Sequence, residues 1–151
     1  ENGCTPAFIA AKQGQTVALD ILVNAGCDVN QAMNDGATPA FIATQQGHLA
    51  VLKPGDERRI NAGLHRGPGG PDCCARYVLV NAGCDVNQSM KDGAMPAFVA
   101  AQKGHVAALE VLVKAGCDVN QADMYGQTLA YSAAREGHTA ALDYLVNAGC
   151  D

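Results

Sequence analysis

Tryptophan is absent from this 151-residue chain, aromatic residues make up 5% of it, and serine occurs only at Ser89 and Ser132. Each shortage excludes something. With so few bulky rings a sandwich core is disfavoured, and the abundant alanine points to closely packed, small-residue helices. Neither serine sits in a G-x-S-x-G elbow, and no G-x-x-x-x-G-K-[ST], H-E-x-x-H or CxxC motif occurs. The chain is therefore read as non-enzymatic, with no cofactor and no small-molecule substrate. Positive charge is also scarce: ten Lys and Arg stand against 15 Asp and Glu, for a formal net charge of -5. Nucleic acid is an unfavourable main partner on that balance, because phosphate binding needs clustered cations to displace counterions. No apolar run approaches the roughly 20 residues that span a bilayer, so membrane insertion is not expected.

What the chain has instead is repetition, within a composition of 48% hydrophobic and 17% charged residues that suits a folded domain. The stretch LVNAGCDVNQ, Leu22 to Gln31, recurs letter for letter from Leu79 to Gln88, returns as LVKAGCDVNQ at Leu112 and as LVNAGCD at Leu145. Gly3 and Gly36 are 36-3=33 residues apart, as are Gly93 and Gly126, and so are Cys84, Cys117 and Cys150 in succession. Within one period, Asp35-Gly36 and Asp92-Gly93 suit a tight turn. Thr38-Pro39 reads as an N-cap and first helical residue, and Gly47 as the stop of a short helix. A second helix carries apolar residues at Leu109, Leu112 and Val113, a spacing of three and four, before Gly116 ends it. The unit is thus turn, helix, turn, helix.

These residues resemble the ankyrin repeat, which couples a G-x-T-P-L-H-x-A-A helix start to a G-H turn and an L-L-x-x-G-A ending. NGCTPAFIAAKQGQTVAL, DGATPAFIATQQGHLAVL, DGAMPAFVAAQKGHVAAL and YGQTLAYSAAREGHTAAL carry the likeness. The departures are systematic. The motif's Leu is Ala at Ala7, Ala40, Ala97 and Ala130, and its His is Phe8, Phe41, Phe98 and Tyr131, an exchange of volume between neighbouring core positions. Leu129 replaces the motif's Pro and Met95 its Thr, so N-capping is expected to be weaker at those two helices. The implied fold is an all-α ankyrin-repeat solenoid of stacked helix-turn-helix units with turn or hairpin loops. It forms a single domain over 1–151, with units of about 1–33, 34–90, 91–123 and 124–151.

Equivalent positions in stacked units lie about 8–10 Å apart, whereas a disulfide needs Cα atoms about 4.4–6.8 Å apart. Cys27, Cys84, Cys117 and Cys150 fall in the motif's Ala slot and read as small core thiols. Seven cysteines without a disulfide framework point to a reducing, intracellular setting such as the cytoplasm. His48, His105 and His138 match the motif's structural His, and Gln15 in the same slot speaks against a metal position. Asn30, Asn87 and Asn120 read as loop-holding residues. Each also follows a Leu by eight residues and an Asp by two, which is similar to the site hydroxylated in ankyrin repeats by the oxygen-dependent asparaginyl hydroxylase. A peptide mass spectrum would show that modification as one added oxygen on the asparagine.

The array is interrupted. From Gly26 to Gly83 the spacing is 83-26=57, which is 33+24, and the excess lies in KPGDERRINAGLHRGPGGPDCCAR, Lys53 to Arg76. Three Pro and five Gly there oppose a regular helix. An inserted loop is favoured over two degraded repeats. Five cations against three acids make the stretch locally basic, and it is read as a solvated loop rather than a grip for phosphate or an acidic partner. His65, Cys73 and Cys74 are poorly spaced for chelation, so no metal is expected.

The resemblance implies a monomeric scaffold that binds a partner protein through the concave surface of its turns and first helices. The family's contact positions fall here on Asn34, Asp35, Ala37, Gln45 and Gln46; on Lys91, Asp92, Gln102 and Lys103; and on Met124, Tyr125, Gln127, Arg135 and Glu136. Met124, Tyr125 and Arg135 are the expected hot spots, being large and either rigid or amphipathic. The alternative is a passive spacer or targeting region of a larger enzyme, receptor or channel.

Overall fold

The computed structural model describes residues 3–48, 51 and 78–150. The stretch 53–76, with the expectations attached to it, lies outside them. Eight helices are described: α1 Pro6–Lys12, α2 Thr16–Asn24, α3 Pro39–Gln45, α4 Val78–Asn81, α5 Pro96–Lys103, α6 Val106–Lys114, α7 Leu129–Arg135 and α8 Thr139–Asn147. No strand occurs among the described residues, and the fold is all-α, as the repeat pattern implies.

Each first helix starts where local chemistry makes it start. Thr5, Thr38 and Thr128 hold extended backbone, and their hydroxyls accept from the amides of Phe8, Phe41 and Tyr131 at 3.1, 3.2 and 3.3 Å. A proline at the first turn of α1, α3 and α5 surrenders no needed donor. Met95 makes no side-chain cap, as its chemistry requires, but its side chain is buried and so exchanges a hydrogen bond for apolar contact. The weaker capping expected at Leu129 takes a milder form: Thr128 still caps α7, and only the pre-set proline backbone is missing.

The first helices lie side by side, α1 on α3, α3 on α5 and α5 on α7, while α2, α6 and α8 back onto α1, α5 and α7 as a second layer. Ala7, Ala40, Ala43, Ala97, Ala100, Ala101 and Ala133 bring the first helices close together. The second helices contribute the fully buried Leu19, Leu79, Leu109, Leu112 and Leu145. Phe8, Phe41 and Phe98 are buried beside their alanines, which returns the volume that the small neighbour gives up.

A polar ladder ties the units on the other side. The side chain of Asn30 donates through Nδ2 to the Gly83 carbonyl at 3.2 Å and accepts at Oδ1 from the Asp85 amide at 2.7 Å. Asn87 makes the same pair with Gly116 and Asp118, at 3.2 and 3.1 Å, and Asn120 donates to Gly149 at 3.4 Å. The asparagines therefore grip the next unit, and do not merely hold their own loop. Each is set in place by the aspartate two residues before it: Asp28, Asp85 and Asp118 accept the amides of Asn30, Asn87 and Asn120 at 2.8, 2.9 and 3.0 Å. Asn30 and Gly83 are 53 residues apart and Asn87 and Gly116 are 29 apart, a difference of 53-29=24, yet the bond is the same.

Removing one rung tests its weight. Asn87→Ala deletes two bonds between units at once and is expected to cost about 1–3 kcal/mol in chemical denaturation, at about 0.5–1.5 for each. No loss would mean that apolar packing alone sets the stack. A second comparison tests the close packing of the turns. Gly93 and Gly126 both have positive φ, +84 and +75, so alanine strains either by about 1 kcal/mol. Only at Gly93 would a Cβ also fall 2.7 Å from a neighbouring backbone atom, the Met124 nitrogen, whereas at Gly126 nothing lies within 4 Å. Gly93→Ala should therefore destabilise by about 1–3 kcal/mol more than Gly126→Ala, and equal losses would refute that packing.

Candidate functional site

The turn at the head of each unit closes like a small hairpin. Met33, Met90 and Asp123 donate their amides to the carbonyls of Ala37, Ala94 and Gln127 at 2.9, 2.8 and 3.0 Å. Neighbouring tips touch: the Lys91 amide donates to the Asp35 carbonyl at 3.0 Å, and Gly93 packs against Met124 backbone. The three tips thus form one row, and the C-terminal ends of α3, α5 and α7 lie beside one another because those helices pack side by side.

Within a tip the carboxylate has a structural task. Asp35 Oδ1 accepts the Ala37 amide and Asp92 Oδ1 the Ala94 amide, each at 3.0 Å. In the last tip the register position of Asp35 and Asp92 belongs to Tyr125, which cannot do this. Asp123 takes over from two residues earlier, its Oδ1 accepting from both the Tyr125 and the Gln127 amides at 2.9 and 2.8 Å. The turn stays satisfied and position 125 is released from holding it. Tyr125 is 73% exposed and the adjoining Met124 63% exposed.

The remaining positions are placed as follows. Asn34, Asp35, Lys91 and Asp92 are exposed on the tips, while Gln45, Gln46, Lys103, Arg135 and Glu136 are exposed at the helix ends. Gln102 and Gln127 are half-buried. Ala37 is buried and takes part in the turn through its backbone, so its side chain offers a partner nothing. Arg135 Nε lies 3.3 Å from Glu136 Oε1, a solvent-exposed ion pair that holds its charge locally balanced. Sequence reasoning missed the transfer of the turn bond to Asp123. The signal was available: the Asp-Gly pair of the second and third units becomes Tyr125-Gly126 in the fourth, with an aspartate two places upstream.

The other polar residues singled out by the repeat serve the scaffold. His48 Nε2 lies 3.0 Å from the Lys12 carbonyl and His138 Nε2 3.0 Å from that of Gln102, so these rings join successive units. Among the described residues no group of three His, Cys, Asp or Glu side chains is placed to hold a metal, and no helix is long and apolar enough to cross a membrane. Both amide atoms of Asn30 and Asn87 are engaged in the ladder. Cys27, Cys84, Cys117 and Cys150 are free thiols, but only Cys117 is buried in the core, and the other three are half-buried against its edge. The Cys117 thiol lies 3.7 Å from the Asp118 carbonyl. Burial pushes the Cys84 and Cys117 thiols up to about 11, and the carboxylates of Asp85 and Asp118 add to the rise.

A family model described as ankyrin repeats, in three copies, matches residues 1–54 and 68–151. No curated protein matches the chain.

The raised thiols make stability fall at alkaline pH. Folded Cys84 and Cys117 keep protons that the unfolded chain has lost above 9.0, so their contribution is complete below pH 9 and disappears as pH rises to about 11. Urea midpoints measured across that interval should drop more steeply for the natural chain than for the Cys84→Ala/Cys117→Ala variant. Parallel curves would count against buried thiols as the cause.

Proposed function

The chain belongs to the ankyrin repeat family, whose members generally serve as protein interaction modules, and from that premise we propose that it binds a partner protein through the row of tips and first-helix ends. The concave side of the stack is the working surface in this reading. One observation carries it: the turn bond made by Asp35 and Asp92 moves to Asp123, and the position so released holds a large, rigid, exposed ring at Tyr125. A scaffold residue in that place would need no such rearrangement. Tyrosine in a protein-facing position loses little conformational freedom on binding and brings both apolar area and a hydroxyl, which is why it concentrates at interface hot spots.

Met124 extends the apolar element beside it, and Arg135 brings a guanidinium at the end of α7, the first helix of the same unit. Lys91, Lys103, Gln45, Gln46 and Glu136 supply the polar surroundings that set register rather than affinity. The partner is therefore a protein segment that offers an apolar pocket or side chain to the Met124-Tyr125 tip and hydrogen-bonding groups along the helix ends. The tips and helix ends differ between units while the alanine and leucine core positions largely recur, so recognition is separated from folding.

The test compares three forms of the chain in a quantitative pull-down followed by titration with the purified partner: natural, Met124→Ala/Tyr125→Ala/Arg135→Ala, and deletion of Lys53 to Arg76. Matched helical circular dichroism shows that all three fold. The triple variant should weaken binding by about tenfold or more, as loss of hot-spot residues does. Binding lost only in the deletion would transfer function to the 53–76 stretch, and binding unaffected by either change would favour the spacer reading.

A further inference from the structure

The five lysine and arginine residues among those described are not spread evenly. Lys12, Lys103 and Arg135 end the first helices α1, α5 and α7, and Lys91 stands on the tip of the third unit, so four of the five lie on the face assigned to the partner. Lys114, at the end of α6, is the exception. A cation in the last turn of a helix is favoured by the helix dipole alone. The dipole does not account for this pattern, because α2 and α8 have the same dipole and end in Asn24 and Asn147.

The carboxylates are distributed the other way. Of the ten described, six lie on the second layer or in the ladder: Asp20, Glu110 and Asp143 on α2, α6 and α8, and Asp28, Asp85 and Asp118 beside the asparagines. The four on the partner-facing side are already engaged. Asp35, Asp92 and Asp123 each hold tip amides through Oδ1, and Glu136 lies 3.3 Å from Arg135. Lys12, Lys91 and Lys103 have no ion-pair partner among the described residues. The charges that this face leaves unengaged are therefore positive, although the chain carries a net charge of -5. Exposure here does not depend on what adjoins the first or last unit: Gln45 and Lys103, each flanked by units on both sides, are exposed.

Neighbouring first helices pack about 8–10 Å apart and an extended chain advances about 3.3 Å per residue, so one unit corresponds to about three residues of a strand laid along the row. We propose that the partner segment is acidic: an extended stretch of about nine residues whose Asp or Glu side chains meet Lys12, Lys103 and Arg135 along the first-helix ends. Gln45 and Gln46 supply uncharged donors between them, and Lys91 extends the positive field to the tips. The inference rests on the reading of this face as the binding surface and adds the sign of what binds. Such charges act mainly on encounter rate and on rejection of wrong partners. A negatively charged segment is repelled by the carboxylates of the second layer and the ladder and drawn to this side, which fixes its orientation. Four cations dispersed over three units, with six carboxylates behind them, suit a protein segment rather than the dense phosphates of a nucleic acid.

Random dodecapeptides displayed on phage and selected on the full 151-residue chain test this, each selected peptide then being labelled and titrated by fluorescence anisotropy. The selected sequences should carry net negative charge, and their affinity should fall about threefold or more as salt rises from about 50 mM to about 300 mM. Lys103→Glu should weaken binding by about fivefold and flatten the salt dependence. Lys114→Glu, which also reverses an exposed charge at a helix end but on the other layer, should leave both unchanged. Circular dichroism checks the fold of each variant. Neutral or basic selected peptides whose binding is lost in Tyr125→Ala overturn the acidic partner and leave the protein-binding reading standing. Equal effects of Lys103→Glu and Lys114→Glu overturn the proposal, as does an oligothymidylate that binds more tightly than any selected peptide and is released by Lys103→Glu. A selection that enriches no peptide overturns the proposal alone, since the pull-down described above reads protein binding independently.

Discussion

A carbonyl and an amide two residues apart, Gly83 with Asp85 and Gly116 with Asp118, meet the side chain of an asparagine from the unit before. The rest of the structure depends on that match. Asparagine is suited to it because one planar group carries a donor and an acceptor side by side; aspartate lacks the donor and glutamine holds the amide one carbon farther out. The aspartate two residues earlier fixes the asparagine's own backbone, and its amide in turn receives the previous asparagine. Asp28, Asn30, Asp85, Asn87, Asp118 and Asn120 therefore form a continuous series in which each residue both positions and is positioned. Apolar burial supplies the driving force for stacking, but burial is non-directional, and the ladder selects one register among those that would cover similar area.

A scaffold held in this way leaves its turns free to differ. The second and third tips keep an aspartate that holds the turn, and the fourth has handed that duty to Asp123 so that Tyr125 can face outward. The same separation appears in the cores of the units. Alanine and phenylalanine exchange volume between adjacent positions in three units, and the slot reaches solvent only where the aromatic is Tyr131, whose hydroxyl tolerates water.

Features that depend on neighbours in the chain were legible before any coordinates: the Thr-Pro starts, the glycine stops and the apolar spacing of the second helices are local chemistry. Features that depend on which unit lies next were not. Asn87 looked like a loop residue because its partners, Gly116 and Asp118, are 29 and 31 residues away. Ala37 looked available because the register places it near the tip, yet the turn closes over it. Met95 shows the intermediate case, where the missing cap followed from the residue type but its full burial followed from packing. Tyr125 was singled out by size alone, and only the bonds of Asp123 explain how the turn survives it.

The bond from Asn30 to Gly83 spans 24 more residues than its counterparts and has the same length as the bond from Asn87 to Gly116. At this one junction the solenoid has uncoupled its geometry from its contour length. The entropy of closing a loop grows only as the logarithm of its size, by about 0.6 kcal/mol for each doubling, so further chain added there burdens the flanking units little. The spacing of the tips across this junction is therefore set by the asparagine's two bonds to the next unit and not by the length of the covalent path between the units.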